Sequence, residues 1–479
     1  MTGGRVRRFS PMHERRLSIT VFVLFSSWLL ALPFEGRLLS EIAGKHALDT
    51  GGLVIGAVAA TAAGLLFWGF LIRSKKTARR LILCSTAICM ILSAVFFAPP
   101  SALWNAALVT GSFFIAASIT GWGYYFKSSA PKYERIKVAA TGLIFSNILM
   151  IGLNVAAVHF SPYLGLALAM FFLGGSFLFA LRLPPEDPPS SIPASTQPGT
   201  VPPDVAKPLA LLCLFVLVIT INSGLMYHVL NPSFSHLSSL ASWYWALPYI
   251  AGLYLMLKFS RKIGRGYILY TAIAAIGLSF IAFMILDRSA FSYLVVNTLM
   301  LGACGACDLF WWSILGEMLD LSANPAKILG IGLSANVAGV FIGGVVGDLL
   351  IAAGLPDQST TAIALSVVCA TLVILPLLYR YLSVLLDDRA FYAALAEISP
   401  PAKEKQVSER LARLGGLSER EKEVAALLLH GKTYRRIAGE LSISENTVKT
   451  HVKNIYGKCD IQSRGELIDL AFRENRHTP

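Results

Sequence analysis

The chain has 479 residues, 55% of them hydrophobic and only 14% charged, with a formal net charge of +13. Soluble domains carry about 25% charge, so the composition excludes a typical soluble protein and points to a membrane. A mean hydropathy of +0.62 agrees. The positive charge does not mark the whole chain as nucleic-acid-binding. Residues 386–479 hold sixteen Lys/Arg against fourteen Asp/Glu, so +11 lies in the apolar remainder, where basic residues usually set topology.

Apolar runs of roughly 18–25 residues, long enough to cross about 30 Å of hydrocarbon as helix, recur along the chain. They are expected near 17–35, 50–72, 80–98, 102–126, 136–158 and 162–181, and again near 208–230, 237–258, 267–286, 290–313, 327–352 and 360–385. Each must be helical, because backbone in lipid finds no water to bond. A Pro-, Ser- and Thr-rich stretch at 182–207 divides the runs six and six and reads as an extended linker. The first run is long and followed by many others, so it reads as an uncleaved span.

Lys/Arg asymmetry sets the orientation. The N-terminal tail carries Arg5, Arg7, Arg8, Arg15 and Arg16, and the loop after span two carries Arg73, Lys75, Lys76, Arg79 and Arg80. Lys127, Lys132, Arg135 and Lys137 follow span four, and Lys258, Arg261, Lys262 and Arg265 follow span eight. The alternate loops hold only Arg37, Lys45 and Arg288. Both termini are therefore expected in the cytoplasm, with residues 1–385 in a bacterial inner membrane.

Ionisable residues inside spans are costly and read first as functional. Asp308, in span ten, is the ligand-sensing candidate. The alternative is a carboxylate near the interface, with Trp311 and Trp312 in an aromatic belt. Glu35, His159, His228 and Asp348 lie nearer span ends and fit interface placement better. Cys304-x-x-Cys307 suggests metal or redox chemistry, but among Gly and Ala it reads better as small-residue packing. Asn222, Tyr227, Trp243, Tyr244 and Trp245 either line a ligand cavity or pack and anchor the bundle. The seven cysteines form no disulfide framework.

Residues 386–414 read as a cytoplasmic linker, with Pro400-Pro401 expected to stop any helix continuing from span twelve. Residues 415–479 read as a small four-helix domain. Ser418 and Glu421 form a capping box, opening a helix that buries Val424, Leu427 and Leu428 and stops at Gly431. Thr433 caps a short second helix over Ile437, and Leu441-Ser442-Ile443 makes a tight turn. Ser444 caps a third helix whose inner face is Val448, Val452 and Ile455. Ser463 and Glu466 start a fourth, burying Leu467 and Ile468. With that inner face buried, Asn446, Lys449, Thr450 and Lys453 point outward at helical spacing. Helix, short turn, helix is the arrangement that places side chains in the major groove of DNA. Lys and Asn suit base edges and phosphates, while Thr433, Thr447 and the helix N-termini suit phosphates.

The motifs Leu417-Ser418-x-Arg420-Glu421-x-Glu423-Val424, Gly431-Lys432-Thr433, Arg436-Ile437-Ala438 and Ile443-Ser444-x-x-Thr447-Val448-Lys449-Thr450-His451-Val452 resemble the LuxR-type (NarL-like) helix-turn-helix family. That resemblance implies base or phosphate contacts from Lys449 and Lys453, and a homodimer face on the fourth helix at Ile468 and Ala471. Ala425 and Cys459 depart from the usual leucines at two core positions. Six plus six helices around a linker resemble the major facilitator superfamily. Its Gly-x-x-x-Asp-Arg-x-Gly-Arg loop is only half echoed, in Arg261-Lys262-Ile263-Gly264-Arg265. Arg261 stands where the acid belongs, Leu257 where the first glycine would be, and the loop Arg73 to Arg80 has no acid. That acid helps gate transport, so a transporter-like bundle recruited as a sensor fits better.

No Walker loop, Gly-x-Ser-x-Gly elbow, metalloprotease motif or receiver-like acidic pocket is present, so no enzyme, cofactor or metal is expected. The fold class is all-α: a twelve-span bundle followed by the helix-turn-helix domain. The expected partners are double-stranded DNA, the lipid bilayer and a small or lipophilic ligand. The expected function is a membrane-bound one-component transcription regulator. A transporter with an attached regulatory domain is the alternative, and a scaffold that uses the bundle as an anchor is a third.

Overall fold

The computed structural model describes residues 11–34, 37–48, 50–130, 134–186, 206–263, 265–396, 416–429, 434–459, 461 and 467. It divides into two units, Met1–Pro376 and Leu377–Pro479.

Among the described residues, twelve helices are long and apolar enough to cross a membrane. They are α1 Met12–Phe34, α2 Gly51–Leu71, α3 Lys75–Phe97, α4 Ala102–Ser129, α5 Arg135–Phe160 and α6 Pro162–Ala180, then α7 Ala206–Ser233, α8 Ser235–Phe259, α9 Tyr267–Ile285, α10 Ala290–Met318, α11 Pro325–Ala352 and α12 Asp357–Leu378. Polar caps start several of them. The oxygens of Ser74, Ser289 and Asn324 accept the backbone N–H groups of Thr77, Ser292 and Lys327, satisfying donors that a helix start leaves open. Wide π-turns at Leu30–Phe34, Ala156–Phe160 and Met226–Leu230 distort α1, α5 and α7 near their C-terminal ends.

Two spans outrun their expected C-terminal ends by five residues or more. The last helix continues without a break from Asp357 to Ala396, past the expected end at 385 and into the expected linker. Residues 381–396, Tyr-Leu-Ser-Val-Leu-Leu-Asp-Asp-Arg-Ala-Phe-Tyr-Ala-Ala-Leu-Ala, contain no Gly or Pro and many strong helix formers, so nothing local stops them. Pro400-Pro401 lies outside the described residues. The other is α10, which ends at Met318 rather than near 313.

The two halves of the bundle, α1–α6 and α7–α12, meet along α2 with α11, α4 with α11, α5 with α8, and α5 with α10. A Cβ added at Gly330 of α11 would stand 2.5 Å from the Leu65 carbonyl oxygen of α2 and 2.9 Å from the Gly69 Cα. Only glycine permits that approach. The same logic bears out the packing reading of Cys304-x-x-Cys307. A Cβ on Gly305 between the two cysteines would stand 2.2 Å from the Tyr249 carbonyl oxygen of α8. The outward surface stays apolar, with Phe171 73% and Val373 72% exposed. Such side chains suit lipid rather than water.

In the second unit, α13 Glu419–Leu429, α14 Tyr434–Glu440 and α15 Glu445–Cys459 enclose one core. Leu417, Val424, Ala425, Leu428, Leu429, Ile437, Val448, Val452, Ile455 and Leu467 are buried in it. Leu427, expected inside, is only partly buried, while the neighbouring Ala425 is wholly inside. Of the expected fourth helix only Leu467 is described. Ser463, Glu466, Ile468 and Ala471 lie outside the described residues, as do Gly431 and Thr433.

Candidate functional site

The C-terminal unit presents the geometry of a groove reader. The Ser418 N–H donates to Glu421 Oε2 at 2.7 Å, and the Glu421 N–H donates back to Ser418 Oγ at 3.3 Å. This is the reciprocal capping box the sequence implied. Glu421 does more. Its carboxylate, 5% exposed, also receives Lys458 Nζ at 2.7 Å from the end of α15, tying the first helix to the recognition helix. Donation from Lys458 and from the Ser418 N–H pulls the Glu421 carboxyl down to about 2. Spacing alone did not show this tie, because the two residues stand 37 positions apart.

The turn between α14 and α15 puts Ser442 at φ +53°. Ser444 Oγ then accepts the Thr447 N–H at 3.1 Å and caps α15. Val448, Val452 and Ile455 face the core. Asn446, Thr447, Lys449, Thr450 and Lys453 are all exposed on the opposite side. Lys449 rests 3.6 Å from Glu445, one turn back, in an exposed pair that contributes little.

In the bundle, a cavity of about 150 Å³ lies between the halves. One water needs roughly 10–15 Å³ by the same measure, so the space suits an organic molecule rather than a bare ion. Its lining comes from α1, α2, α4, α5, α7, α8, α10 and α11. Asp308 is part of it. The Tyr249 hydroxyl donates to one Asp308 oxygen at 2.7 Å, and Trp311 Nε1 donates to the other at 3.1 Å. The belt reading of this region is corrected, since Trp311 and Trp312 are 1% and 6% exposed. The extension of α10 to Met318 explains the difference. It leaves Asp308 ten residues, or about 15 Å, from the helix end. Tyr227 and Trp245 also line the cavity. Trp243 is 44% exposed, Tyr244 bonds Thr298, and Asn222 is buried outside the lining with no partner for its amide. Sequence reasoning missed Asn147 and Asn336, polar positions inside α5 and α11 that line the cavity. Their signal was a lone amide inside an apolar run.

One end of the bundle is latched. Arg135, at the start of α5, donates to both Asp320 oxygens at 2.8 Å and to the Gly316 carbonyl at 2.8 Å. Its remaining donors reach the carbonyls of Ala130 and Lys127. Lys127 in turn donates to the Ser322 carbonyl at 3.0 Å. Lys75, at the start of α3, donates to Glu14, in the first turn of α1, at 2.8 Å. At the opposite end, His228 Nδ1 and Asp348 Oδ1 lie 2.7 Å apart, and His159 Nε2 stands 3.1 Å from Ser242 Oγ. Glu35 lies outside the described residues.

Comparisons agree with this division. Residues 416–471 match the family model described as bacterial regulatory proteins, luxR family. An HTH-type transcriptional regulator of Aeromonas salmonicida, from the exeN 3′ region, is 46% identical over 66 residues, covering 13% of this chain and 34% of that one. The HTH-type transcriptional regulator MalT of Serratia proteamaculans is 39% identical over 66 residues, covering 14% of this chain and 7% of that one. The chain thus spans about a third or less of these two relatives. The C-terminal segment is a DNA-binding, LuxR-type helix-turn-helix domain.

The bundle is similar to a bacterial homologue of the iron transporter ferroportin in an outward-facing state. The TM-score is 0.60 at 12% identity, over 78% of this chain and all of that one. It is similar also to the nucleoside transporter NupG, with TM-score 0.51 at 17% identity, over 77% of this chain and 97% of that one. At these identities the likeness shows the fold alone: a transmembrane helical bundle folded like those two transporters.

Proposed function

We propose that the chain is a membrane-bound one-component transcription regulator whose bundle binds a small ligand and whose C-terminal domain binds promoter DNA. The observation that carries the reading is the coexistence in one chain of a groove-reading domain and a cavity-bearing bundle. α10 gives the bundle a physical link between ligand and response. It carries Asp308 in the cavity and, two turns later, the Gly316 carbonyl bonded to Arg135. A ligand that prefers one packing of α10 shifts the equilibrium of the latch, and only such differential affinity can.

In this reading Asn446, Lys449 and Lys453 face base edges and phosphates, and Thr433, Thr447 and Thr450 hold the backbone. The latched, basic end of the bundle faces the cytoplasm of a bacterial inner membrane, with both termini there. The domain acts as a homodimer through its fourth helix. Residues 386–414, helical as far as Ala396, are the tether.

The test is capture of DNA fragments on full-length protein in membranes, followed by sequencing. Discrete promoter sites are expected. Lys449→Ala should weaken binding there by about 1–3 kcal/mol if Lys449 reads a base, or uniformly on all DNA if it holds a phosphate. Capture of no DNA at low salt by a folded protein would sink the reading. Transport is the second reading, favoured by the transporter-like fold. Ligand accumulation in sealed vesicles, lost in Asp308→Asn, would support it.

A further inference from the structure

The cavity holds a carboxylate without a cation of its own. Among the described lining residues Asp308 is the only carboxylate, and there is no Lys, Arg or His. The two groups that bond it, the Tyr249 hydroxyl and the Trp311 indole N–H, are neutral donors. They fill two of the roughly four acceptor positions of a carboxylate and leave its charge uncompensated. A charge inside a membrane protein is costly unless paired. Beside aliphatic and small polar side chains, the lining includes the rings of Phe22, Tyr227, Trp245, Tyr249, Trp311 and Trp312. Trp311 and Trp312 stack at 5.5 Å, and Tyr227 lies 6.0 Å from Trp245. Aromatic faces carry negative quadrupole density and attract ammonium groups.

A bare metal ion does not fit. No group of three His, Cys, Asp or Glu side chains able to hold a metal stands among the described residues, and the cavity is too large for an ion alone. From the lone carboxylate, the aromatic walls and the volume, we infer that the cavity takes a monovalent organic cation, an ammonium group on an aromatic or alkyl body, with Asp308 as its counter-ion. The inference deepens the ligand-binding reading of the bundle and rests on it.

The probe is tritiated benzyltrimethylammonium, bound to the full-length protein in lipid nanodiscs near neutral pH. Saturable binding is expected. Neopentylbenzene, its uncharged carbon isostere, should compete at least about tenfold more weakly, because the ion pair and cation–π contacts are lost. Benzylsulfonate should not compete. Asp308→Asn should weaken binding by at least about tenfold, and Asp308→Glu should retain most of it. Competition with unmodified protein keeps the test decisive even if Asp308→Asn fails to fold. Equal competition by neopentylbenzene, stronger competition by benzylsulfonate, displacement by ferrous ion at equal concentration, or no saturable binding would each overturn the cation site. If promoter capture succeeds while cation binding fails, only the ligand class falls. If the cation binds but no DNA is captured, the site stands and the regulator reading falls.

Discussion

Glu421 shows how much one side chain can hold. Its carboxylate closes the capping box of α13 and anchors Lys458 of α15. Because its folded-state value is pulled down from the ordinary 4.5 to about 2, its contribution is fully present above about 4.5 and is lost as pH falls toward 2. Glu421→Gln keeps a side chain able to serve the capping box but removes the charge facing Lys458. The variant of the isolated domain, residues 415–479, should therefore be less stable than the parent at neutral pH, and the gap should shrink as pH falls through that window. Urea unfolding at neutral and acid pH measures it, and a gap independent of pH would contradict the assignment. The capping box was legible because its residues are three apart. The Lys458 contact was not, because it forms only when two helices pack.

At the level of elements, the latch joins α4, α5, α10 and the short turn Leu319–Leu321 that follows α10 through one guanidinium. Arg135 uses its fork on both Asp320 oxygens and on three backbone carbonyls. Lysine offers a point charge and cannot reproduce that planar set. Arg135→Ala should destabilise the bundle by about 2 kcal/mol, the one-third exposure of Asp320 holding the loss below that of a fully buried pair. Arg135→Lys should recover less than half of it. Thermal unfolding of purified protein in detergent measures both, and full recovery by lysine would reduce the contact to simple charge. Sequence marked Arg135 only as one of several basic loop residues. Its partner lies 185 positions away, beyond any local pattern.

For the molecule as a whole, orientation decides whether the helix-turn-helix can meet DNA. The bonds joining Glu14, Arg15, Lys75, Ser128 and Ser129 place the starts of α1 and α3 and the end of α4 at one end of the bundle. Arg135, Gly316 and Asp320 add the start of α5 and the end of α10 to that end. Most of the basic loops converge there, as the positive-inside rule expects of a cytoplasmic face. A reporter fused after Lys76 should be active in the cytoplasm, and one fused at Asp357 should report the outside. The opposite pattern would place the DNA-binding domain away from DNA.

The amino-acid sequence by itself determined the twelve helices and the helix-turn-helix. Apolar length, capping boxes and the LuxR-type motif are local properties, set within one helix or a few turns. It also determined which face of α15 would be exposed, because burying Val448, Val452 and Ile455 leaves Asn446, Lys449 and Lys453 no other side. Only the tertiary structure decided where Asp308 sits. Its depth depends on where α10 ends, and a run of apolar residues leaves that end open by several positions. The cavity and the latch were equally unreadable, since each gathers residues far apart in the chain onto one point. Such convergence is a product of packing between helices, and no period along a single helix encodes it.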